Sequence, residues 1–228
     1  PVKIISCSKA GIDFHIKTGY KKNLFKLIPN GFEPVNKSIR SNKYSKHFTV
    51  GMFSRYHKVK NHQYLFNSIR ILQKKSIKFK ILLLGPNISK RNLDLIKVIK
   101  KYKLEKNVIF IEKSNILNVK KYFSYIDLYT LCSRTEGFPN ILAEAVNNGV
   151  SVLSTNVGDS KLIVPSNKCL IPLGDTKYFG KKIYQHFMQN KNKMIKHKEL
   201  KNDQVKFNKK FSLKKMIFNY EKTWKKIL

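Results

Sequence analysis

The chain has 228 residues, 42% of them hydrophobic, with fifteen phenylalanines and eleven tyrosines. This length and aromatic content exclude a disordered chain and suffice for one domain with a substantial core, or for one domain and part of another. Lysine and arginine outnumber aspartate and glutamate by 47 to 13, a net charge of +34. Because lysines occur throughout, alongside Asn, Ile, Tyr and Phe, we interpret the charge mainly as the codon bias of an AT-rich genome; selection for a polyanionic partner is the alternative.

Cysteine usage and hydropathy restrict the cellular setting. Cys7, Cys132 and Cys169 are widely separated and have no CxxC or cysteine–histidine spacing, so neither a disulfide framework nor a zinc site is predicted. A reducing, cytoplasmic location is expected. No apolar run has the length of a membrane span and no signal-peptide pattern occurs, so any membrane contact is expected to be peripheral.

Before residue 29 the pattern differs from the rest of the chain. VKIISCS (2–8) predicts a strand, but KAGIDFHIKTGYKKN (9–23) gives no complete βαβ unit. We therefore expect this segment to be the end of a preceding unit.

Seven short apolar runs predict strands. Each is too short for a helix and too continuously apolar for a strand with one solvated face, a pattern typical of buried parallel strands. The runs are FKLIPNG (25–31), FTVGMFS (48–54), FKILLLG (79–85), NVIFIE (107–112), LYTLCS (128–133), SVLST (151–155) and CLIPLG (169–174).

Helical periodicity lies between most of these runs. The predicted apolar faces are Leu65, Phe66, Ile69 and Leu72; Leu93, Ile96 and Ile99; and Val119, Tyr122, Phe123 and Ile126. Alternation of strand and helix over about 48–190 predicts an α/β fold with a Rossmann-like, doubly wound parallel sheet. Later residues show no strand pattern. There Ser212 is expected to cap a last helix, and the side chains expected to be buried are Met216, Ile217, Tyr220 and Trp224.

The stretch TEGFPNILAEAV (135–146) combines a turn with the start of a helix. Gly137 permits a tight turn after a strand, and Pro139 suits the first helical position because its missing N–H would be unpaired there. The amides of Gly137, Phe138 and the first helical turn would then face outward at the carboxyl end of a parallel sheet. That is an anion-binding position.

Two carboxylates bracket this stretch. Glu136 precedes the turn, and Glu144 lies about one and a half turns into the helix, on the same face as Asn140. Because carboxylates accept hydrogen bonds from vicinal hydroxyls, a ligand with sugar rings on either side of a phosphate fits this layout. Taken alone, two glutamates at this spacing are more often ordinary surface residues.

Three further turns carry candidate residues. Arg55 and Lys60 follow a predicted strand in GMFSRYHKVKNHQ (51–63), where a guanidinium and an ammonium could hold a diphosphate; chance placement among so many cations is the alternative. Gly158 in STNVGDSKLIV (154–164) and Asn30-Gly31 in PNGFE (29–33) mark the others, the latter permitting a positive φ. GxGxxG and P-loop patterns are absent.

Four stretches, in their order along the chain, resemble the C-terminal, donor-binding half of the family 4 retaining glycosyltransferases of GT-B fold. They are IPNGFE, VGMFSRYHKVKNH, LYTLCSRTEGFPNILAEAVNNGVSVLSTNVGDSKLIV and FSLKKMIFNYEKTW. The resemblance covers about residues 24–228. Two positions depart from the family pattern. Glu33 stands where an aspartate is common, and Asp159 stands where a second glycine after Gly158 is frequent.

The resemblance implies roles for the candidate residues. Arg55 and Lys60 would hold the donor diphosphate and stabilise the leaving nucleotide, and Glu136 would bind the donor sugar. Glu144 would bind the ribose hydroxyls. The remaining donor contacts would come from amides around Gly137, Phe138 and Asn140. No metal or other cofactor is implied, because the cations and the helix N-terminus would stabilise the developing charge.

The resemblance also divides the chain. Residues 1–28 would be a remnant of the N-terminal acceptor lobe and its connection, 29–190 the nucleotide-sugar-binding lobe, and 191–228 the C-terminal helices. The implied function is hexosyl transfer, with retention, from a nucleoside-diphosphate sugar to a lipid-linked or polysaccharide acceptor at the cytoplasmic membrane face. An acidic membrane surface and a separate N-terminal lobe are further candidate partners.

Two alternatives stay open. One is a non-catalytic or split donor-binding subunit. The other is a basic nucleic-acid-binding module, suggested by charge alone; it lacks a stripe of interleaved aromatic and basic residues, so no nucleic-acid partner is expected.

Overall fold

The computed structural model describes residues 3–35, 47–111, 119–192, 194 and 197–226. The strands in these ranges are β1 (Ile4–Ser6), β2 (Phe25–Leu27), β3 (Phe48–Phe53), β4 (Phe79–Leu84), β5 (Val108–Ile111), β6 (Leu128–Leu131), β7 (Ser151–Thr155) and β8 (Leu170–Ile171). The α-helices are α1 (Lys9–Lys17), α2 (His62–Lys74), α3 (Leu93–Lys101), α4 (Val119–Phe123), α5 (Asn140–Asn147), α6 (Ser160–Ile163), α7 (Thr176–Lys191), α8 (His197–Lys210) and α9 (Leu213–Trp224).

Six strands form the main sheet, in the order β5-β4-β3-β6-β7-β8, and every neighbouring pair is parallel. Counted outward from β3, this is the strand order of nucleotide-binding Rossmann folds. The predicted doubly wound parallel sheet is confirmed. Between β3 and β6 the winding reverses direction, and at such a switch point a crevice opens beyond the carboxyl ends of the strands.

Helices cover both faces of this sheet. On one face α2, α3 and α7 bury a cluster in which Leu65, Phe66, Ile69 and Leu72 are all fully buried, as predicted. On the other face α4, α5 and α8 pack around Phe123, Leu142 and Phe207. Full burial of such a side chain contributes about 1.5–3 kcal/mol, so these two layers hold the strand ends, and the loops that follow them, in place.

The predicted apolar face of α3 is partly wrong. Leu93 is 70% exposed, whereas Leu95 and Ile99 are buried. Leu95 and Ile99, four residues apart, share one face of the helix. Leu93 precedes Leu95 by two residues, about 200° around the helix axis, and therefore lies on the opposite side.

The N-terminal segment forms a complete βαβ unit, so the expectation of an incomplete one is wrong. β1 and β2 pair in parallel, with Ile4 opposite Phe25, and α1 connects them. The periodicity of α1 was missed because its one buried side chain is Ile12. This two-stranded sheet is separate from the main one and is too small for independent stability, so it depends on packing against other parts of the protein.

The turn at residues 29–33 is held by the C-terminal segment. The Phe32 amide donates to the Phe211 carbonyl (2.8 Å), and the Leu213 amide donates to the Phe32 carbonyl (3.0 Å). Gly31 does not adopt a positive φ; a Cβ there would lie 2.7 Å from the Leu213 Cα. The glycine is therefore required for a close backbone approach, rather than for the turn conformation that the sequence suggested.

Helix α9 begins as predicted, with the Ser212 hydroxyl accepting from the Lys215 amide (3.3 Å). Its predicted buried face is only partly present. Met216 contacts the Gly31 amide through its sulfur (3.1 Å), but Ile217 and Trp224 are 46% and 55% exposed. The described part of the chain places no second layer over these two side chains. None of the helices in the described ranges is long and apolar enough to cross a lipid bilayer.

Candidate functional site

The crevice at the switch point is bordered by the loop that follows β3 and the loop that follows β6. The Arg134 amide donates to the Val59 carbonyl (2.8 Å), which ties the two loops together. The first loop is also held against β4, because the Ser54 amide donates to the Leu84 carbonyl (2.8 Å). Backbone hydrogen bonds thus set the positions of the candidate side chains on these loops.

Lys60 and Glu136 meet across this crevice. Lys60 Nζ lies 2.6 Å from Glu136 Oε1, and the two side chains are only 22% and 12% exposed. Partial burial strengthens the attraction between the charges relative to an exposed pair. The ammonium keeps two further N–H donors and the carboxylate keeps its second oxygen. The pair can therefore offer a donor and an acceptor to a ligand at once.

The turn after Glu136 leads into α5 and leaves backbone donors open. Pro139 occupies the N-cap position and supplies no side-chain cap. Within the described ranges, no protein acceptor faces the amides of Gly137, Phe138, Asn140 or Ile141. Unpaired amides at the positive end of a helix are suited to binding a phosphate group.

Phe138 contributes only its backbone to this position. Its side chain is buried, stacked on Phe32 with ring centroids 6.3 Å apart, and packed edge-on against Phe211 at 5.5 Å. These aromatic contacts fix the turn relative to the 29–33 segment and the C-terminal helices. The side chain is thus structural, and its amide is the part available to a ligand.

Asn140 and Glu144 lie on α5, as the sequence predicts. The Asn140 Oδ1 accepts from the Asn30 side-chain amide (2.7 Å), which links the helix to the 29–33 turn. Glu144 is partly buried, and this burial raises the pKa of its carboxyl, an effect that the charge of Lys120 partly opposes. A partly desolvated carboxylate gains more from accepting hydroxyl hydrogen bonds than an exposed one does.

Arg55 follows β3 and is exposed. Its guanidinium makes no ion pair or hydrogen bond with any residue of the described ranges. The structure thus joins Lys60 directly to Glu136, beside the turn of Gly137 and Phe138. Arg55 borders the same switch point without a direct contact to the pair.

Two further residues, to which the sequence assigned no role in the site, support the turn that carries Glu136. Gly158 has a φ of +51°, and an added Cβ would overlap the Glu136 carbonyl oxygen. The next residue, Asp159, donates its amide to the Gly137 carbonyl (2.9 Å). The loop after β7 therefore buttresses the turn that carries Glu136. The sequence marked Gly158 as a turn, but no local signal could show what the turn contacts.

His62, the first residue of α2, is a third residue to which the sequence assigned no role in the site. It is 2% exposed, and its ring lies 5.2 Å from that of Tyr56. Burial lowers the pKa of His62 to about 4, so the imidazole is neutral at physiological pH. It packs beneath the loop between Arg55 and Lys60. Among the described residues, no group of three or more His, Cys, Asp or Glu side chains could hold a metal ion.

Residues 36–211 match the model of the family described as "Glycosyl transferases group 1". Protein CapJ of Staphylococcus aureus is 27% identical over 159 residues, and the match covers 65% of this chain and 39% of CapJ. An uncharacterised glycosyltransferase of Methanocaldococcus jannaschii is 26% identical over 186 residues, 76% of this chain and 44% of that protein. This chain thus spans less than half the length of these two curated relatives.

Among solved structures, Anabaena HepE in complex with UDP-glucose superposes with a TM-score of 0.83 at 20% sequence identity. The superposition covers 99% of this chain and 64% of the HepE chain. At this identity the likeness shows a shared fold, that of the GT-B glycosyltransferases.

Proposed function

Since the chain belongs to the group 1 glycosyltransferases, we propose that it is the donor-binding lobe of a family 4 enzyme that transfers a sugar with retention and without a metal ion. The observation that carries this proposal is the Lys60–Glu136 pair, 2.6 Å apart, beside the uncapped N-terminus of α5. Cations, open amides and a carboxylate acceptor at a Rossmann switch point match the parts of a nucleoside-diphosphate sugar.

Each part of the donor has a matching group. The diphosphate would lie against the amides of Gly137 and Phe138, with Lys60 and Arg55 neutralising its charge. The second oxygen of Glu136 would accept from the sugar hydroxyls, and Glu144 from the ribose hydroxyls. Departure of the nucleoside diphosphate from the anomeric carbon places negative charge on the leaving phosphate. The same cations and the positive end of α5 would stabilise that charge.

The proposals for the donor sugar and the acceptor rest on the likeness to HepE and on the net charge of the chain. HepE binds UDP-glucose, which favours a uridine diphosphate hexose as the donor. Whatever its origin, the net charge of +34 would attract acidic lipids and phosphorylated groups, so we propose a lipid-linked or polysaccharide acceptor at an acidic membrane surface, on the cytoplasmic side.

We also propose that the β1–α1–β2 unit, within residues 1–28, belongs to the acceptor lobe. Its two strands alone make an unstable sheet, so the rest of that lobe would extend it, from the same polypeptide or a separate chain. Residues 29–190 would be the nucleotide-sugar-binding lobe and 191–228 the C-terminal helices.

Calorimetric titration with UDP, GDP, ADP and CMP, in EDTA and again with Mg²⁺, tests the proposal. One nucleotide should bind with micromolar to low-millimolar affinity, equally in both conditions. Arg55→Ala should weaken a diphosphate about tenfold, by loss of one charge-assisted contact, and Glu144→Ala should weaken the same nucleotide. Arg70→Ala, an exposed arginine on α2, is the matched control and should change nothing.

Equal, weak binding of all four nucleotides would contradict the proposal, provided that salt abolishes it and that Arg55→Ala affects it no more than Arg70→Ala does. That result would instead indicate non-specific polyanion binding by the lysine-rich surface.

A further inference from the structure

The side chain of Asp159 is inserted at the N-terminus of helix α1. Its Oδ2 accepts from the Lys9 amide (2.7 Å) and its Oδ1 accepts from the Ala10 amide (2.9 Å). The residue is only 4% exposed. Ser8, the N-cap of α1, accepts from the Gly11 amide (3.0 Å). One local residue and one residue from 150 positions along the chain therefore share the capping of this helix.

The backbone of Asp159 contacts the candidate donor site. Its amide donates to the Gly137 carbonyl (2.9 Å), and the preceding Gly158 lies directly against the Glu136 carbonyl. Gly137 in turn faces Ser8, since a Cβ built on it would lie 3.5 Å from the Ser8 side chain. A single residue thus holds the first turn of α1 with its carboxylate and the turn after Glu136 with its amide.

This contact is more than a helix cap. Helix α1 belongs to the small β1–β2 sheet, which is separate from the main sheet, so Asp159 joins two units that share no strand. A buried carboxylate that accepts two amides at the positive end of a helix is a strong, directional contact.

We propose that Asp159 is a positioning residue that couples occupancy of the donor site to the placement of α1. A ligand phosphate at the Gly137 and Phe138 amides orders the turn that Asp159 contacts. Through its two hydrogen bonds, the carboxylate then restricts the motion of the first turn of α1, and with it the β1–α1–β2 unit. This inference rests on the proposed function, because it needs a nucleotide at that turn.

Hydrogen exchange of the Lys9, Ala10 and Gly11 amides, measured with and without UDP, tests the coupling. In the wild-type chain UDP should slow this exchange several-fold. In Asp159→Ala these amides should exchange faster without ligand, UDP should no longer slow them, and the dissociation constant for UDP should rise about three- to tenfold. Asp159→Asn keeps the shape and one acceptor oxygen, so it should give intermediate values and serves if the alanine variant is poorly folded.

The matched control is Asp175→Ala. Asp175 caps α7 by accepting from the Tyr178 amide (2.8 Å), so its loss removes the same kind of contact at another helix. It should speed exchange at the start of α7 and leave both the UDP affinity and its effect on α1 intact.

Two results would overturn the coupling. One is hydrogen exchange at α1 that UDP leaves unchanged in the wild-type chain. The other is an Asp159 variant in which, as in Asp175→Ala, UDP still slows exchange at α1. A wild-type chain that binds none of the four nucleotides would refute the proposed function and the coupling together. In that case unchanged α1 exchange in ligand-free Asp159→Ala would separately refute the anchoring role of the carboxylate.

Discussion

Lys60 and Glu136 are 76 residues apart in the chain and lie 2.6 Å apart in the crevice. The pair joins the loop after β3 to the turn before α5. Because neither side chain is more than 22% exposed, each charge depends on the other for part of its stabilisation. The candidate site is therefore partly assembled by an internal ion pair before any ligand binds.

Removing either partner of this pair should destabilise the fold. Lys60→Met and Glu136→Gln should each lower the free energy of unfolding by about 1–3 kcal/mol, because each leaves a partly buried charge unpaired. The double variant should lose less than the sum of the two, with a coupling of about 1 kcal/mol. Urea unfolding of the four proteins measures this cycle.

The exposed pair of Lys9 and Asp13 provides the control for that cycle. Asp13→Ala should change the free energy of unfolding by less than about 0.5 kcal/mol. Strictly additive effects of the Lys60 and Glu136 substitutions would show that the pair does not form in solution.

Gly158 and Gly149 both have a left-handed backbone, but an added Cβ would meet a close neighbour only at Gly158. Alanine variants at the two positions therefore distinguish the cost of backbone strain from the cost of a steric overlap. Gly158→Ala should destabilise the protein by more than about 2 kcal/mol and abolish detectable nucleotide binding, because its Cβ would overlap the Glu136 carbonyl. Gly149 has a φ of +68° but nothing within 4 Å of an added Cβ. Gly149→Ala should cost only the backbone strain of about 1–2 kcal/mol and leave binding unchanged. Equal losses of affinity in the two variants would argue against a role for the Gly158 contact.

Glu144→Gln should stabilise the protein while weakening its nucleotide affinity. Burial raises the pKa of Glu144 in the folded state, so the folded chain binds this proton more tightly than the unfolded chain does. The ionised carboxylate therefore lowers stability progressively as the pH rises through the folded-state pKa. In urea unfolding, the free energy of unfolding of Glu144→Gln should exceed that of the wild-type protein at pH 7 but not at acid pH.

In the same Glu144→Gln protein, calorimetry should show about tenfold weaker nucleotide binding, because charge-assisted hydrogen bonds to the ribose are lost. Glu105→Gln, at an exposed position, is the control for both measurements. A variant with wild-type affinity would remove Glu144 from the proposed site.

His62 should make the fold sensitive to acid. Its pKa is lowered to about 4 by burial, against an ordinary value near 6.5 in the unfolded chain. Between pH 6.5 and pH 4 the unfolded chain therefore takes up a proton that the folded chain does not, and stability falls as the pH falls. Over the whole interval between the two pKa values, this difference would lower the free energy of unfolding by about 3 kcal/mol.

His62→Gln should flatten this loss of stability, measured by urea unfolding at pH 7, 5.5 and 4. The partly buried His186, whose pKa is also lowered to about 4, should maintain part of the slope. His15→Gln, on an exposed residue, should reproduce the wild-type profile. A His62→Gln protein with an undiminished slope would show that His62 becomes protonated within the folded state.

The strands and the main helices could be predicted from the sequence because their signals are local. The apolar runs from residue 48 onward coincide with β3 to β8, since a strand buried on both faces needs continuous apolar residues. The turn at Gly137 and the start of α5 were predicted for the same reason, although Pro139 is the N-cap residue and the predicted first helical position belongs to Asn140. The face of α3 at Leu93 and the exposed Ile217 and Trp224 were misjudged, because local periodicity shows which residues share a face but not which face another layer covers.

The sequence by itself thus determined the fold class, the family resemblance and the residue types at the switch point. Tertiary structure alone decided their partners: that Lys60 pairs with Glu136, that Gly158 supports the Glu136 turn, and that Asp159 caps α1. The physical reason is that parallel strands bring loops together at one edge of the sheet from positions far apart in the chain. Contacts between such loops depend on strand order and register, which no short stretch of sequence contains.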